Sequence, residues 1–164
     1  MGMLEAGAMA PPFTLTDLDG KPHSLAETLK NSPVLLAFFK ISCPVCQFTF
    51  PFVERIFERY AGGKTAVWGI SQDDTRDTRD FCKEFEITFP ALPDDDGYPV
   101  SNLYRITNVP SIFLVEPDGK ISISVTGFSK KELDRIAKKL AAAGERPASP
   151  LFAPSEIVPD YKPG

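Results

Sequence analysis

Cys43 and Cys46, separated by Pro44 and Val45, are the residues of this 164-residue sequence whose type and spacing best suit chemistry. A thiolate attacks a disulfide sulfur to give a mixed disulfide, and a second thiol close in sequence displaces it, so a C-x-x-C supports reversible exchange. The same spacing supplies half of a tetrahedral zinc set, which here only Cys82 and His23 could complete. The sequence holds three cysteines and one histidine, with no second C-x-x-C and no histidine pair. That distribution favours redox chemistry, with no metal and no cofactor expected beyond the redox-active Cys43–Cys46 disulfide. It is equally unlike the even, dispersed cysteine framework of a stapled secreted domain.

The pair must be held by its neighbours. Residues 34–40 are a continuous apolar run of strand length ending just before Cys43, as expected of a central strand buried on both faces. From Pro44 to Tyr60, Val45, Phe48, Phe52, Val53, Ile56 and Phe57 recur at helical spacing, and Gly62-Gly63 stops the pattern. The cysteines therefore fall at a strand-to-helix junction. There the unpaired N–H groups and the positive end of the helix dipole stabilise a thiolate at Cys43. Pro44 suits the first helical turn, where its missing N–H costs nothing, and Cys46 falls one turn in, less exposed. Lys40, three residues before Cys43, is a candidate source of positive charge for the thiolate. Cys82 reads as a small core residue and His23 as a surface residue, so neither joins the site.

The remaining elements alternate. A short strand at residues 13–15 enters a turn at Asp17-Leu18-Asp19-Gly20, and Ser24 caps a short helix reaching Lys30. A strand at 65–71 leads to a helix that Asp74 or Thr75 caps and that contains Phe81, Cys82 and Phe85. Then come a strand at 89–92, a short helix at 98–104 and a strand at 111–115. Glu116-Pro117-Asp118-Gly119 turns that strand into an edge strand in which Ile121, Ile123 and Val125 alternate with polar residues. Ser129 caps a last amphipathic helix that ends at Gly144. An α/β fold follows, with a mixed central sheet, helices on both faces and an N-terminal β extension. Residues 1–144 form this domain. Residues 145–164 carry five prolines and form a tail whose Leu151, Phe152, Ile157, Val158 and Tyr161 either dock on a folded surface or belong to a flexible end.

Composition narrows the function classes. A formal charge of −4, with the acidic cluster Asp94-Asp95-Asp96, argues against binding a phosphate backbone, so no nucleic-acid partner is expected. The longest strongly apolar stretch, residues 34–39, is far short of the ~20 needed to span a bilayer. Residues 1–12 lack the cationic start and apolar centre of a secretory leader, which makes the cytoplasm the default expectation.

Residues 35–46, Leu-Leu-Ala-Phe-Phe-Lys-Ile-Ser-Cys-Pro-Val-Cys, with Pro51 five residues on, resemble the active-site stretch of thioredoxin-fold reductases. Asn108-Val109-Pro110-Ser111 followed by Pro117-Asp118-Gly119 is similar to that family's cis-proline loop and hairpin. The opening at residues 7–15 and the segment 73–104 resemble the redoxin branch, which includes TlpA-like reductases and the alkyl hydroperoxide reductase/thiol-specific antioxidant proteins. The likeness covers residues 7–140. It implies a thioredoxin-like fold, Cys43 and Cys46 as the catalytic pair, and a substrate-binding surface at Val109, Pro110, Ser42 and Pro44. It also implies Pro110 as the cis-proline, Pro51 as the helix-kinking proline, and protein disulfides plus a thiol reductant as partners. Where relatives carry a buried aspartate, a tryptophan and a glutamate, this sequence has Ala37, Ser42 and Thr49. The proline and threonine that peroxiredoxins need ahead of their cysteine are missing between Phe39 and Cys43. Disulfide exchange is thus the leading expectation, a thiol-dependent peroxidase the second, and a redox-inert or metal-binding interaction module the third.

Overall fold

A computed structural model describes residues 2–61 and 65–164, so the helix stop expected at Gly62-Gly63 lies outside the described residues. Five strands form the main sheet: β3 (Val34–Phe39), β4 (Ala66–Ser71), β5 (Ala91–Pro93), β6 (Ser111–Val115) and β7 (Ile121–Thr126). Their order is β5-β4-β3-β6-β7, with β3 parallel to β4 and antiparallel to β6, so β3 is the central strand expected. Ahead of it, β1 (Thr14–Thr16) and β2 (Pro22–Ser24) pair as a separate N-terminal hairpin, where Asp17 Oδ1 accepts the N–H groups of Asp19 and Lys21.

Alternation along β3 explains its unbroken apolar run. Leu35, Ala37 and Phe39 face one core with helices α2 (Pro44–Tyr60), α3 (Thr75–Glu84) and α5 (Lys130–Ala143). Val34, Leu36 and Phe38 face a second core with α1 (Leu25–Leu29) and α4 (Pro99–Leu103). All six side chains are fully buried, and each large one contributes about 1.5–3 kcal/mol by leaving water. The sheet between helices is the thioredoxin-like arrangement the sequence implied. Ser24, Asp74 and Ser129 act as N-caps, each accepting a backbone N–H through its side chain.

Three expectations are revised. The strand expected at 89–92 begins at Ala91, because the N–H groups of Thr88 and Phe89 are engaged by the buried Glu54 carboxylate instead of a sheet neighbour. Asp94 is not part of an exposed acidic cluster. It is buried and accepts the N–H groups of Val100 and Ser101 and the Ser101 hydroxyl, starting α4, whose own N-cap Tyr98 offers no side-chain bond. His23 is half-buried rather than on the surface, bonded to Asp17 at 2.8 Å and packed edge-on against Trp68.

The proline-rich segment lies on the domain. Leu151 is fully buried, Phe152 packs on Phe52 and Phe128, and Arg55 forms a two-armed ion pair with Glu156. Its prolines leave room for one short element, β9 (Tyr161–Lys162), which pairs antiparallel with β8 (Phe128–Ser129).

Candidate active site

Cys43 is the N-cap of the 17-residue helix α2, with Pro44 in the first turn. Its extended backbone (φ −85°, ψ 113°) aims Sγ back over the helix end, where it accepts the N–H of Cys46 at 3.1 Å. A sulfur in this position meets both a helix-end N–H donor and the positive end of the dipole. Cys46 is fully buried. Burial first, and then its hydrogen bond with Cys43, push its thiol well above the ordinary range, so it keeps its proton at neutral pH. Cys43 is half-buried, while Ser42 and Pro44 on either side are exposed.

Across from the pair, the Val109–Pro110 peptide bond is cis. Sγ of Cys43 lies 3.4 Å from the Val109 carbonyl oxygen, in position to donate its proton there. Pro110 is buried, Val109 half-buried, and Ser111 Oγ bonds the Asn108 carbonyl at 2.6 Å, bracing the loop from within. The structure thus brings together Cys43, Cys46, Val109, Pro110, Ser42 and Pro44.

Lys40 takes a backbone part, its carbonyl accepting the Cys43 N–H at 3.3 Å. Its exposed side chain lines a shallow groove with Gln72, Ile106, Thr107, Asn108 and Val109. Two positioning groups escaped the sequence reading. Asp73 accepts the Ile41 N–H at 2.8 Å, and Gln47 donates to the Ile41 carbonyl at 2.9 Å, so both backbone groups of one residue just before the cysteines are gripped. Gln47 lies next to Cys46 in sequence, which was a usable signal; Asp73 is 32 residues from Ile41, and no local pattern marks it.

Ala37, where the resemblance implies a buried aspartate in relatives, is fully buried between Gly69 and Ile112. Thr49 bonds its own helix, donating to the Val45 carbonyl at 2.6 Å. Pro51 lies within α2 and denies the Gln47 carbonyl its usual N–H partner. Cys82 is half-buried in α3, its thiol pushed up to about 11 by burial and then by the nearby Glu54 charge. Among the described residues, no group of three or more His, Cys, Asp or Glu side chains is gathered as a metal set, and no helix is long and apolar enough to cross a membrane.

A C-x-x-C at a strand-to-helix junction, facing a cis-proline loop on a five-stranded mixed sheet, defines a thioredoxin-like redox fold. Within that class the chain belongs to the AhpC/TSA family, whose model matches residues 6–124. It is 29% identical over 139 residues to the thiol-disulfide oxidoreductase ResA of Bacillus thuringiensis subsp. konkukian, covering 84% of this chain and 79% of that protein. The thioredoxin domain of a thiol-disulfide oxidoreductase from Bacteroides vulgatus superposes with a TM-score of 0.73 at 27% identity, over 83% of this chain and 97% of the other. A thiol:disulfide interchange protein of the thioredoxin family from Chlorobium tepidum gives a TM-score of 0.69 at 27% identity, over 81% and 95%.

Proposed function

We propose that this thiol-disulfide oxidoreductase acts through Cys43 as the attacking sulfur and Cys46 as the resolving one. The Cys43 thiolate attacks one sulfur of a substrate disulfide, forming a new S–S bond and releasing the other sulfur as a thiolate, which takes a proton from water. Cys46 then attacks Sγ of Cys43, forming the Cys43–Cys46 bond and breaking the bond to the substrate's second sulfur, which takes up the proton that Cys46 gives up. The substrate leaves as a dithiol carrying two electrons, and Cys43–Cys46 is left oxidised until a thiol reductant restores it. The observation that carries this reading is the contrast between the sulfurs. One caps the helix within reach of an incoming chain; the other is sealed beneath it with its proton held.

Val109 supports a second part of the proposal. Its carbonyl is 3.4 Å from the attacking sulfur, so an extended protein disulfide reaching Cys43 passes along this backbone and pairs with it, with Ser42 and Pro44 on the far side. Backbone pairing reads no side chain, which suits varied protein substrates. The names of the relatives favour disulfide exchange over peroxide reduction.

Cys46→Ser tests the assignment of roles. It removes the resolving sulfur and is expected to leave a mixed disulfide on Cys43 that survives non-reducing electrophoresis with an added protein disulfide. Peptide mapping that finds the adduct on Cys82, or no adduct at all, would reject Cys43 as the nucleophile.

A further inference from the structure

The short strand β9 lies against the redox site. The Lys130 N–H donates to the Asp160 carbonyl at 2.9 Å, and β9 pairs with β8 at Phe128↔Lys162 and Ser129↔Tyr161. The Lys162 ammonium sits 4.9 Å from the centre of the Phe48 ring, on the same helix as the cysteines and one turn beyond Cys43. Asn108 Nδ2 reaches the Gly164 carbonyl at 3.4 Å.

Two glycines make this approach possible. Gly127, at φ +80°, donates its N–H to the Pro110 carbonyl at 2.8 Å, and a Cβ there would lie 2.2 Å from the Lys162 carbonyl oxygen. A Cβ on Gly164 would lie 2.7 Å from the Val109 carbonyl oxygen, the atom that faces Cys43 Sγ. The segment 160–164 thus covers the β8 edge, crosses Gly127 and ends against Val109. It occupies backbone beside the attacking sulfur.

We infer that residues 160–164 are a built-in strap, lying where an extended protein disulfide would pair along Val109 and Gly127 and holding the pair in a form selective for small disulfides. This rests on the reading of Cys43 and Cys46 given above. A small disulfide reaches Cys43 from the Ser42–Pro44 side without needing the covered backbone. A protein disulfide must first displace the strap, so its rate is scaled by the fraction of molecules in which the strap is lifted. A two-residue pairing, the Lys130 N–H bond beside it, one cation over a ring and one long amide bond are a light clasp, suited to release by a competing strand.

The test uses the full chain, pre-reduced, in single-turnover reactions with insulin as the protein disulfide and 5,5′-dithiobis(2-nitrobenzoate) as the small one. Gly164→Trp forces a side chain into the space against Val109. Lys162→Pro removes a backbone N–H from β9 and the cation from Phe48. Both changes lie outside the core, and near-ultraviolet circular dichroism checks that each variant keeps the wild-type fold. Insulin reduction is expected to rise about fivefold or more in both variants, while the small disulfide stays within about twofold. Unchanged insulin rates would overturn the strap. A drop in insulin reduction would also overturn it, by making the segment part of the substrate-binding surface. Wild-type protein inert toward both disulfides would instead refute the reading of the cysteine pair, and the strap with it.

Discussion

Replacing Glu54 with leucine is expected to destabilise the fold by about 3 kcal/mol, because two backbone N–H groups lose their acceptor. Glu54 is 5% exposed on α2, and its carboxylate accepts the Thr88 N–H at 2.8 Å, the Thr88 hydroxyl at 2.5 Å and the Phe89 N–H at 3.3 Å. A buried N–H left unpaired costs roughly 1–3 kcal/mol, so two give about 2–6; leucine recovers part of this by removing a desolvated charge. The threonine hydroxyl can turn to another acceptor and is left out of the sum. Glu54→Gln keeps one carbonyl oxygen for the Thr88 N–H and relieves Glu58, whose carboxyl is pushed up first by its hydrogen bond to Glu54; a cost of about 1 kcal/mol is expected. Urea unfolding followed through the single, buried Trp68 reports both variants. With a slope of about 1–3 kcal/mol per molar urea, the leucine variant should lose roughly 1–3 M in midpoint. A leucine variant within about 0.5 kcal/mol of wild type would refute this account, as would a glutamine variant as damaged as the leucine one. Since the carboxylate is engaged by Thr88, Phe89 and Glu58, and by neither cysteine of the pair, the pH profile of disulfide exchange should be unmoved in Glu54→Gln. A displaced profile would make Glu54 a proton carrier for the cysteine pair.

Two further outcomes follow from the charge environment. With its thiol at about 11, Cys82 is ionised in only about one molecule in a thousand at pH 8, so iodoacetamide should label Cys43 first and Cys82 far more slowly; comparable rates would contradict the burial of Cys82. The Arg55 hydrogen bond, helped by the Ala153 N–H, pulls the Glu156 carboxyl down to about 2. A depressed carboxylate stabilises the fold above its unfolded value near 4.5 and loses that contribution as pH falls toward 2. The gap in thermal midpoint between wild type and Glu156→Gln should therefore be flat from neutrality down to about pH 5.5, and less than about half of it should remain at pH 3. It should also narrow with added salt, because the two side chains are 32% and 28% exposed and mobile ions partly screen them. A gap of equal size at pH 3 and pH 7 would mean that the ion pair does not hold residues 145–164 in place.

What the sequence revealed and what it hid divide along one physical line. The central strand, the cysteine-capped helix, the 116–119 turn and the last helix were legible because their signals are local: an unbroken apolar run, a 3.6-residue period, a proline and a capping side chain within four positions. Hidden were groups whose meaning depends on distant partners. Glu54 reads as one more charge on an amphipathic helix until Thr88 is folded beside it, and Asp94 reads as part of an acidic run until Val100 and Ser101 turn toward it. In each case a buried carboxylate supplies acceptors for backbone N–H groups that have no sheet or helix partner, a requirement set by topology that leaves no period in the sequence.

The segment 145–164 shows the same limit from the other side. Its five prolines correctly excluded long regular elements, yet they also stiffen the free chain and lower the entropy lost on docking. A segment of this kind can lie down without a long element: a buried leucine, a ring among Phe52 and Phe128, an ion pair to Arg55, bonds from Arg59 to Ser149 and Pro150, and a two-residue strand hold it. The same restrictions that make it look like a tail in sequence let it rest against Val109 while remaining easy to lift. A longer, better-paired strand in its place would close the site to protein disulfides outright.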